Sequence, residues 1–197
     1  MIALVGQSVV DRVKLPDTPW VERLGGAPLF AATALCLAGR RAIVLTRGAT
    51  SQLRGPLHHL GCQVIEGPSN HSCVSEMVLT SDGACADSFD AFGDPFTPDD
   101  VEGWMAPALA QADAIVCGAQ WRDDFSESTL AALAKTGRPV YLDGQGPLRL
   151  LRLGPLQLAG PLSRSLLRSS SSPRRKPRPR GGEWILLPRG PSACPWS

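Results

Sequence analysis

Three clusters bring together residue types able to hold a small polar ligand. The first is Gly6-Gln7-Ser8-Val9-Val10-Asp11, which follows a short apolar run over residues 2–5. It lacks the G-x-G-x-x-G spacing, so a dinucleotide pyrophosphate would find no tight glycine turn to approach. What it does carry is a carboxylate, Asp11, and an ionised carboxylate accepts hydrogen bonds from vicinal hydroxyl donors. A solvated surface aspartate accounts for the pattern equally well. The second cluster is Gly25-Gly26, ahead of an Ala/Leu-rich stretch. Paired glycines let a backbone close on a ligand, and a helix start exposes N–H donors. A turn that needs only positive φ is the plainer explanation. The third is Gln120, just past the apolar run 114–117, where it could reach the same edge or simply face solvent.

No residue stands out as a catalytic nucleophile, base or metal ligand. There is no Walker lysine loop and no Ser-His-Asp set. His58 and His59 fall on an expected helix and His71 in a loop, positions that read as structural or solvated. The six cysteines are spread along the chain without a C-x-x-C pair or a histidine at finger spacing. That pattern disfavours both a zinc site and a disulfide scaffold and points to a reducing, cytoplasmic setting. Cys36, Cys62 and Cys117 lie on apolar faces and read as small core residues.

The elements that must position these residues alternate. Apolar runs at 2–5, 42–46, 62–66, 114–117 and 139–142 read as strands. Helices are expected over 28–37, ended by Gly39, over 51–60, and from Pro98, behind an N-cap Thr97, to about 111. A further helix is expected between Ser126 and Lys135, with Gly137 as its C-cap. Such alternation means βαβ units, a parallel sheet and right-handed crossovers, with ligands at the carboxyl ends of the strands. The runs 72–80 and 84–92 around Ser81-Asp82-Gly83 break the pattern and predict a β-hairpin outside the main sheet.

Composition sets the outer bounds. The chain has 197 residues, 43% of them hydrophobic and 19% charged, as a globular domain does. No apolar run approaches the roughly 20 residues that cross a bilayer. No basic region precedes the first apolar run, which argues against a secretory signal. The net charge of +2 hides a division: residues 1–162 carry 12 Lys/Arg against 17 Asp/Glu, while residues 163–197 carry 8 against Glu183 alone. The basic Ser/Pro/Arg-rich stretch 163–197 is too poor in apolar residues to offset its ordering entropy and reads as a disordered tail.

The order Gly6…Asp11, Gly25-Gly26-Ala27-Pro28 before an Ala-rich helix, then Ala42-Ile-Val-Leu-Thr-Arg-Gly48, resembles the amino-terminal half of the ribokinase-like (PfkB) carbohydrate kinases. The likeness continues through the hairpin, Asp113-Ala-Ile-Val-Cys-Gly118 and Leu142-Asp143, and covers roughly residues 1–160. It implies an α/β fold: a doubly wound, mostly parallel sheet, here incomplete, with a small β lid near 9–15 and 72–92. The family uses ATP and Mg²⁺ to phosphorylate a sugar or nucleoside hydroxyl. By position, Asp11 matches the acid that holds sugar hydroxyls, Gly25 and Gly26 the glycine pair lining the sugar site, and Gln120 a sugar-contacting Glu. Val9 and Phe30 stand where the family often has Asn, which implies a ligand less rich in hydroxyls than ribose, or differently oriented. The lid also offers a surface through which two copies could pair as a homodimer.

The resemblance stops before the chemistry. Phosphoryl transfer needs a base for the attacking hydroxyl and N–H or positive density at the transferred phosphate. The family supplies both in a D-T-x-G-A-G-D stretch that is absent here, as is its N-x-x-E segment. Asp90-Ala-Phe-Gly-Asp94 echoes the former but sits in the wrong place, and Phe92 would block phosphate from the backbone. The expectation is a truncated kinase of this family without its catalytic base or ATP and Mg²⁺ site, inactive alone. Two alternatives stand beside it: a non-enzymatic sugar-binding fragment, and a nucleic-acid binder using Arg174–Arg180. The latter run has no interleaved aromatic for base stacking.

Overall fold

The computed structural model describes residues 1–48, 55, 57–59, 61–83 and 85–158. The tail over 163–197 and most of the helix expected over 51–60 lie outside the described residues, although 55 and 57–59 are helical. The main sheet is built from β1 (Ile2–Gln7), β4 (Ala42–Arg47), β5 (Gln63–Glu66), β8 (Ala114–Gly118) and β9 (Val140–Leu142). Its order is β5-β4-β1-β8-β9 and every pairing in it is parallel. The chain winds outward from β1 in both directions, which puts a strand-order reversal beside β1.

Period-2 alternation divides the apolar residues of these strands between two faces. Ala3, Val5, Ile43, Leu45, Ile115 and Cys117 face one layer of helices, α2 (Pro98–Glu102), α3 (Ala106–Gln111) and α4 (Glu127–Lys135). Leu4, Ala42 and Val44 face α1 (Ala27–Leu37) and Leu57 on the other side. Both faces being covered explains why the strands read as unbroken apolar runs.

Local chemistry sets the helix ends. Gly39, at φ 68°, follows α1, and its N–H and that of Arg40 return to the carbonyls of Cys36 and Leu35 at 2.9 and 2.8 Å. α4 starts at Ser126, whose hydroxyl accepts from the Thr129 N–H at 3.1 Å. Thr97 and Asp100 cap α2 reciprocally. The single helix expected from Pro98 to about 111 is two: Pro107, at the start of α3, has no N–H for the Gly103 carbonyl and its ring would clash with it, so the chain turns at Gly103.

The second sheet, the lid, has the order β10-β7-β6-β2-β3. Its strands are β2 (Val9–Lys14), β3 (Val21–Gly25), β6 (Cys73–Leu79), β7 (Cys85–Ala91) and β10 (Gly154–Pro155). β6 and β7 are the hairpin around the Asp82-Gly83 turn, with Gly83 at φ 82°. The hairpin joins β2 through a parallel pairing, and β3 closes the opposite edge antiparallel to β2. The lid therefore draws on three separated parts of the chain, and the strand at 21–25 is one that sequence patterning did not single out.

Candidate ligand site

Asp11 is central to the lid sheet. It lies opposite Arg23 on β3 and Ser75 on β6, and Ser75 lies opposite Phe89 on β7, so all four share one face. Phe89 is buried with Val9, Cys73 and Trp121, the last of these in the loop after β8. The Asp11 face therefore looks toward the main domain. The opposite face is a solvated ion network: Arg12 reaches Glu22 at 3.0 Å, Asp90 at 2.9 Å and Glu76 at 3.7 Å.

The Asp11 side chain is only 14% exposed. The Ser75 hydroxyl donates to its Oδ1 at 2.6 Å, and the Arg23 guanidinium stands 3.9 Å from Oδ2. Burial pushes the carboxyl above its ordinary value; the Ser75 hydrogen bond and the charges of Arg23 and Arg149 oppose that rise, while Asp87 adds to it. A carboxylate offers about four lone-pair positions, so an ionised Asp11 keeps acceptor capacity beyond these two neighbours.

Both glycines of the pair are dictated by close approach. A Cβ on Gly25 would lie 1.9 Å from Asp11 Oδ2, so the carboxylate rests directly on that backbone. Gly26 has φ 100° and a Cβ there would meet the Gln7 carbonyl oxygen at 2.4 Å. Ala27 and Pro28, at the start of α1, border a hollow of about 370 Å³ together with Val5, Phe30, Val116 and Gly118, with Asp143 also on its lining. Asp11 is not one of its lining residues. The glycine pair lies between the two features in the chain: Gly25 touches the acid, and α1 opens onto the hollow.

The strand ends of the main sheet carry a second polar cluster, fully buried. Asp124 is 0% exposed and accepts from Gln7 Nε2 at 3.0 Å and from the Gln120 N–H at 2.9 Å. Burial drives its carboxyl up to about 7, against the pull of those hydrogen bonds and of Arg47. Arg47 pairs with Asp100, donates to the Pro95 carbonyl at 3.0 Å and lies 5.4 Å from the Phe96 ring centroid. Burial alone would raise Asp100, but hydrogen bonds from Thr97, Trp104 and Arg47 hold it below its ordinary value. These contacts tie the ends of β1 and β4 to the loops before α2 and α4.

Asp11, Gly25 and Gly26 are thus brought together. Gln120 is 8% exposed and anchored through its backbone to Asp124, and among the described residues no hydrogen bond joins it to Asp11. Ser75, Arg23, Asp87 and Arg149 were missed by sequence reasoning. Ser75, Arg23 and Asp87 are ordinary polar residues until the lid strands pair, and Arg149 comes from the loop before β10. The Asp90–Asp94 echo has a structural role: a Cβ on Gly93 would lie 2.5 Å from Gln7 Oε1, and the Asp94 carbonyl accepts from Gln7 Nε2 at 2.7 Å. Phe92 packs edge-on against Trp121, centroids 5.1 Å apart. Among the described residues no group of three or more His, Cys, Asp or Glu could hold a metal ion. No described helix is long and apolar enough to cross a membrane.

No protein-family model and no curated protein matches the chain. Solved structures do. One is a pyrophosphate-dependent kinase in the ribokinase family, complexed with a pyrophosphate analog and myo-inositol. It is 21% identical, with a TM-score of 0.68, over 80% of this chain and 54% of that one. An uncharacterized sugar kinase from Pyrococcus horikoshii in complex with ATP is 15% identical, with a TM-score of 0.59, over 73% of this chain and 53% of that one. A carbohydrate kinase from Agrobacterium tumefaciens is 18% identical, with a TM-score of 0.54, over 72% and 52%. The chain spans about half the length of these structures, and the fold it shares with them is ribokinase-like.

Proposed function

From that shared fold, we propose that this chain is the polyol-binding, lid-bearing portion of a ribokinase-type carbohydrate kinase, and that alone it binds a polyhydroxylated small molecule without phosphorylating it. The observation that carries the reading is the Asp11 carboxylate, held by Ser75 against Gly25 on the lid face that looks toward the main domain. An ionised acceptor selects ligands that present hydroxyl donors.

On this reading, Asp11 would orient the ligand by accepting from vicinal hydroxyls, with Gly25 and Gly26 lining the site and Gln120 contributing from the loop after β8. The phosphoryl donor, ATP with Mg²⁺ in the family, would bind outside this chain, and so would the base. In support, the sequence has no D-T-x-G-A-G-D stretch, Asp94 and Asp124 are committed to structural hydrogen bonds, and Asp143, on the lining of the hollow, accepts from the Gln145 N–H at 3.1 Å. Pairing of two copies through the lid belongs to the same proposal.

Calorimetric titration of the full chain with a panel of sugars, nucleosides and cyclitols, including myo-inositol, tests the site. Saturable binding that Asp11→Asn abolishes is expected. No saturable binding by any member of the panel to the folded chain overturns the site. Mass spectrometry after incubation with Mg²⁺ and either ATP or pyrophosphate tests the second half, and a phosphorylated product overturns the claim that the chain only binds.

A further inference from the structure

Cys36, in the last turn of α1, and Cys62, just before β5, are 26 positions apart in sequence, yet their sulfur atoms stand 2.8 Å apart. That is closer than two unbonded sulfurs settle in ordinary contact and within about 0.8 Å of a disulfide bond of about 2.05 Å. The two side chains already point at each other from elements that the apolar cluster of Leu4, Ala32, Val44 and Leu57 holds in place. We propose that Cys36 and Cys62 form a dithiol modification site, oxidised to an intramolecular disulfide by small disulfides of the glutathione class.

The two cysteines differ in access. Cys62 is 4% exposed, whereas Cys36 is half-buried and open to a reagent from solvent. Burial, reinforced by the contact with Cys36, pushes the Cys62 thiol up to about 12, so it keeps its proton until its neighbour is activated. Cys36 loses a proton to solvent and its thiolate attacks one sulfur of the small disulfide. A mixed disulfide forms and one small thiolate leaves and is protonated. Cys62 sulfur then attacks the Cys36 sulfur, its proton passing to the second departing thiolate. The protein loses two electrons and two protons, and the small disulfide becomes two thiols. Cys73 and Cys117 lie in other clusters and have no part in this exchange.

The bond would tie the end of α1, whose start borders the Gly25-Gly26 pair, to the strand at the sheet edge. This inference is independent of what the site binds. Its test is to treat the full-length chain with oxidised glutathione, alkylate the remaining thiols and map peptides by mass spectrometry. Loss of two hydrogen masses with a Cys36–Cys62 cross-linked peptide as the dominant product is expected. It should raise Tm by about 5–10 °C, reversed by dithiothreitol. In concentrated guanidinium that pairing should lose its dominance, and Cys36→Ser should abolish it. A stable glutathione adduct at Cys36 with Cys62 still alkylated overturns the proposal. So does dominant pairing with another cysteine such as Cys194, or an equal yield in guanidinium.

Discussion

The carboxylate of Asp11 lies where the side chain of residue 25 would begin: a Cβ on Gly25 would sit 1.9 Å from Asp11 Oδ2. The two residues occupy adjacent antiparallel strands, and the acid takes space that only glycine leaves open. Gly25→Ala should expel the carboxylate and weaken polyol binding at least about tenfold, equivalent to ~1.4 kcal/mol, with Tm nearly unchanged. Gly26→Ala should act on the fold, because the positive φ and the Gln7 carbonyl at 2.4 Å cost about 1–3 kcal/mol. Calorimetric binding and thermal melts on both variants separate the two effects.

Polyol binding should depend on pH through Asp11. The acceptor role needs the ionised form, and burial places its titration above the usual 3.8. Affinity should therefore fall on acidification earlier than for an exposed aspartate. Ser75→Ala removes the 2.6 Å hydrogen bond that favours ionisation, and should shift the midpoint of that loss to higher pH. It should also weaken binding at neutral pH about threefold to tenfold, a cost of about 1 kcal/mol. Titrations between about pH 4 and pH 7 would show both changes, and identical pH profiles for wild type and Ser75→Ala would count against the assignment.

Asp124 should govern how stability depends on pH. The acid ionises at 3.8 by default and at about 7 in the folded chain. Between those values the folded state holds a proton that the unfolded state has released, so stability declines as pH rises from about 4 to about 7. The full effect is on the order of 4 kcal/mol. Asp124→Asn should flatten that dependence. It should also cost about 1–3 kcal/mol, because either Gln7 Nε2 or the Gln120 N–H would face an amide donor in place of an acceptor. Denaturant melts across the range would measure slope and offset separately.

Trp121 is the packing link between lid and main domain. It is 1% exposed, contacts Phe92 edge-on and shares a cluster with Val9, Cys73 and Phe89. Trp121→Ala should cost about 3–5 kcal/mol. Because the cluster reaches the strands that carry Asp11 and Ser75, it should also weaken polyol binding. Chemical denaturation followed by circular dichroism, beside the same titrations, checks both.

The main sheet was legible because strands buried on both faces appear as unbroken apolar runs, and the glycines at 39 and 137 mark helix ends whichever way the chain continues. The break at Gly103 had a local signal that the expected single helix passed over, since Pro107 cannot donate to the Gly103 carbonyl four residues back. Within the site, Asp11 and the glycine pair could be singled out because glycine spacing and a lone acid after a strand are local signals. Ser75, Arg23 and Asp87 could not, because their meaning comes from cross-strand register, and neither could Arg149, which comes from a loop distant in sequence. That register depends on a parallel pairing between segments 64 positions apart. The charged outer face of the lid, with Arg12 among three acids, obscured the strand alternation further.

The parallel union of β2 with β6 also bears on how the molecule is made. A nascent chain presents Asp11 before its partner Ser75, which is synthesised only after α1, β4 and β5 have emerged, and β10 joins β7 from near residue 155. Contacts so distant in sequence form slowly, since the intervening loop must close before they repay its entropy. The main sheet can condense around β1 and β4 while the strand bearing Asp11 waits with only β3 beside it. Until β6 is made, β2 keeps one edge unpaired, which leaves it open to mispairing.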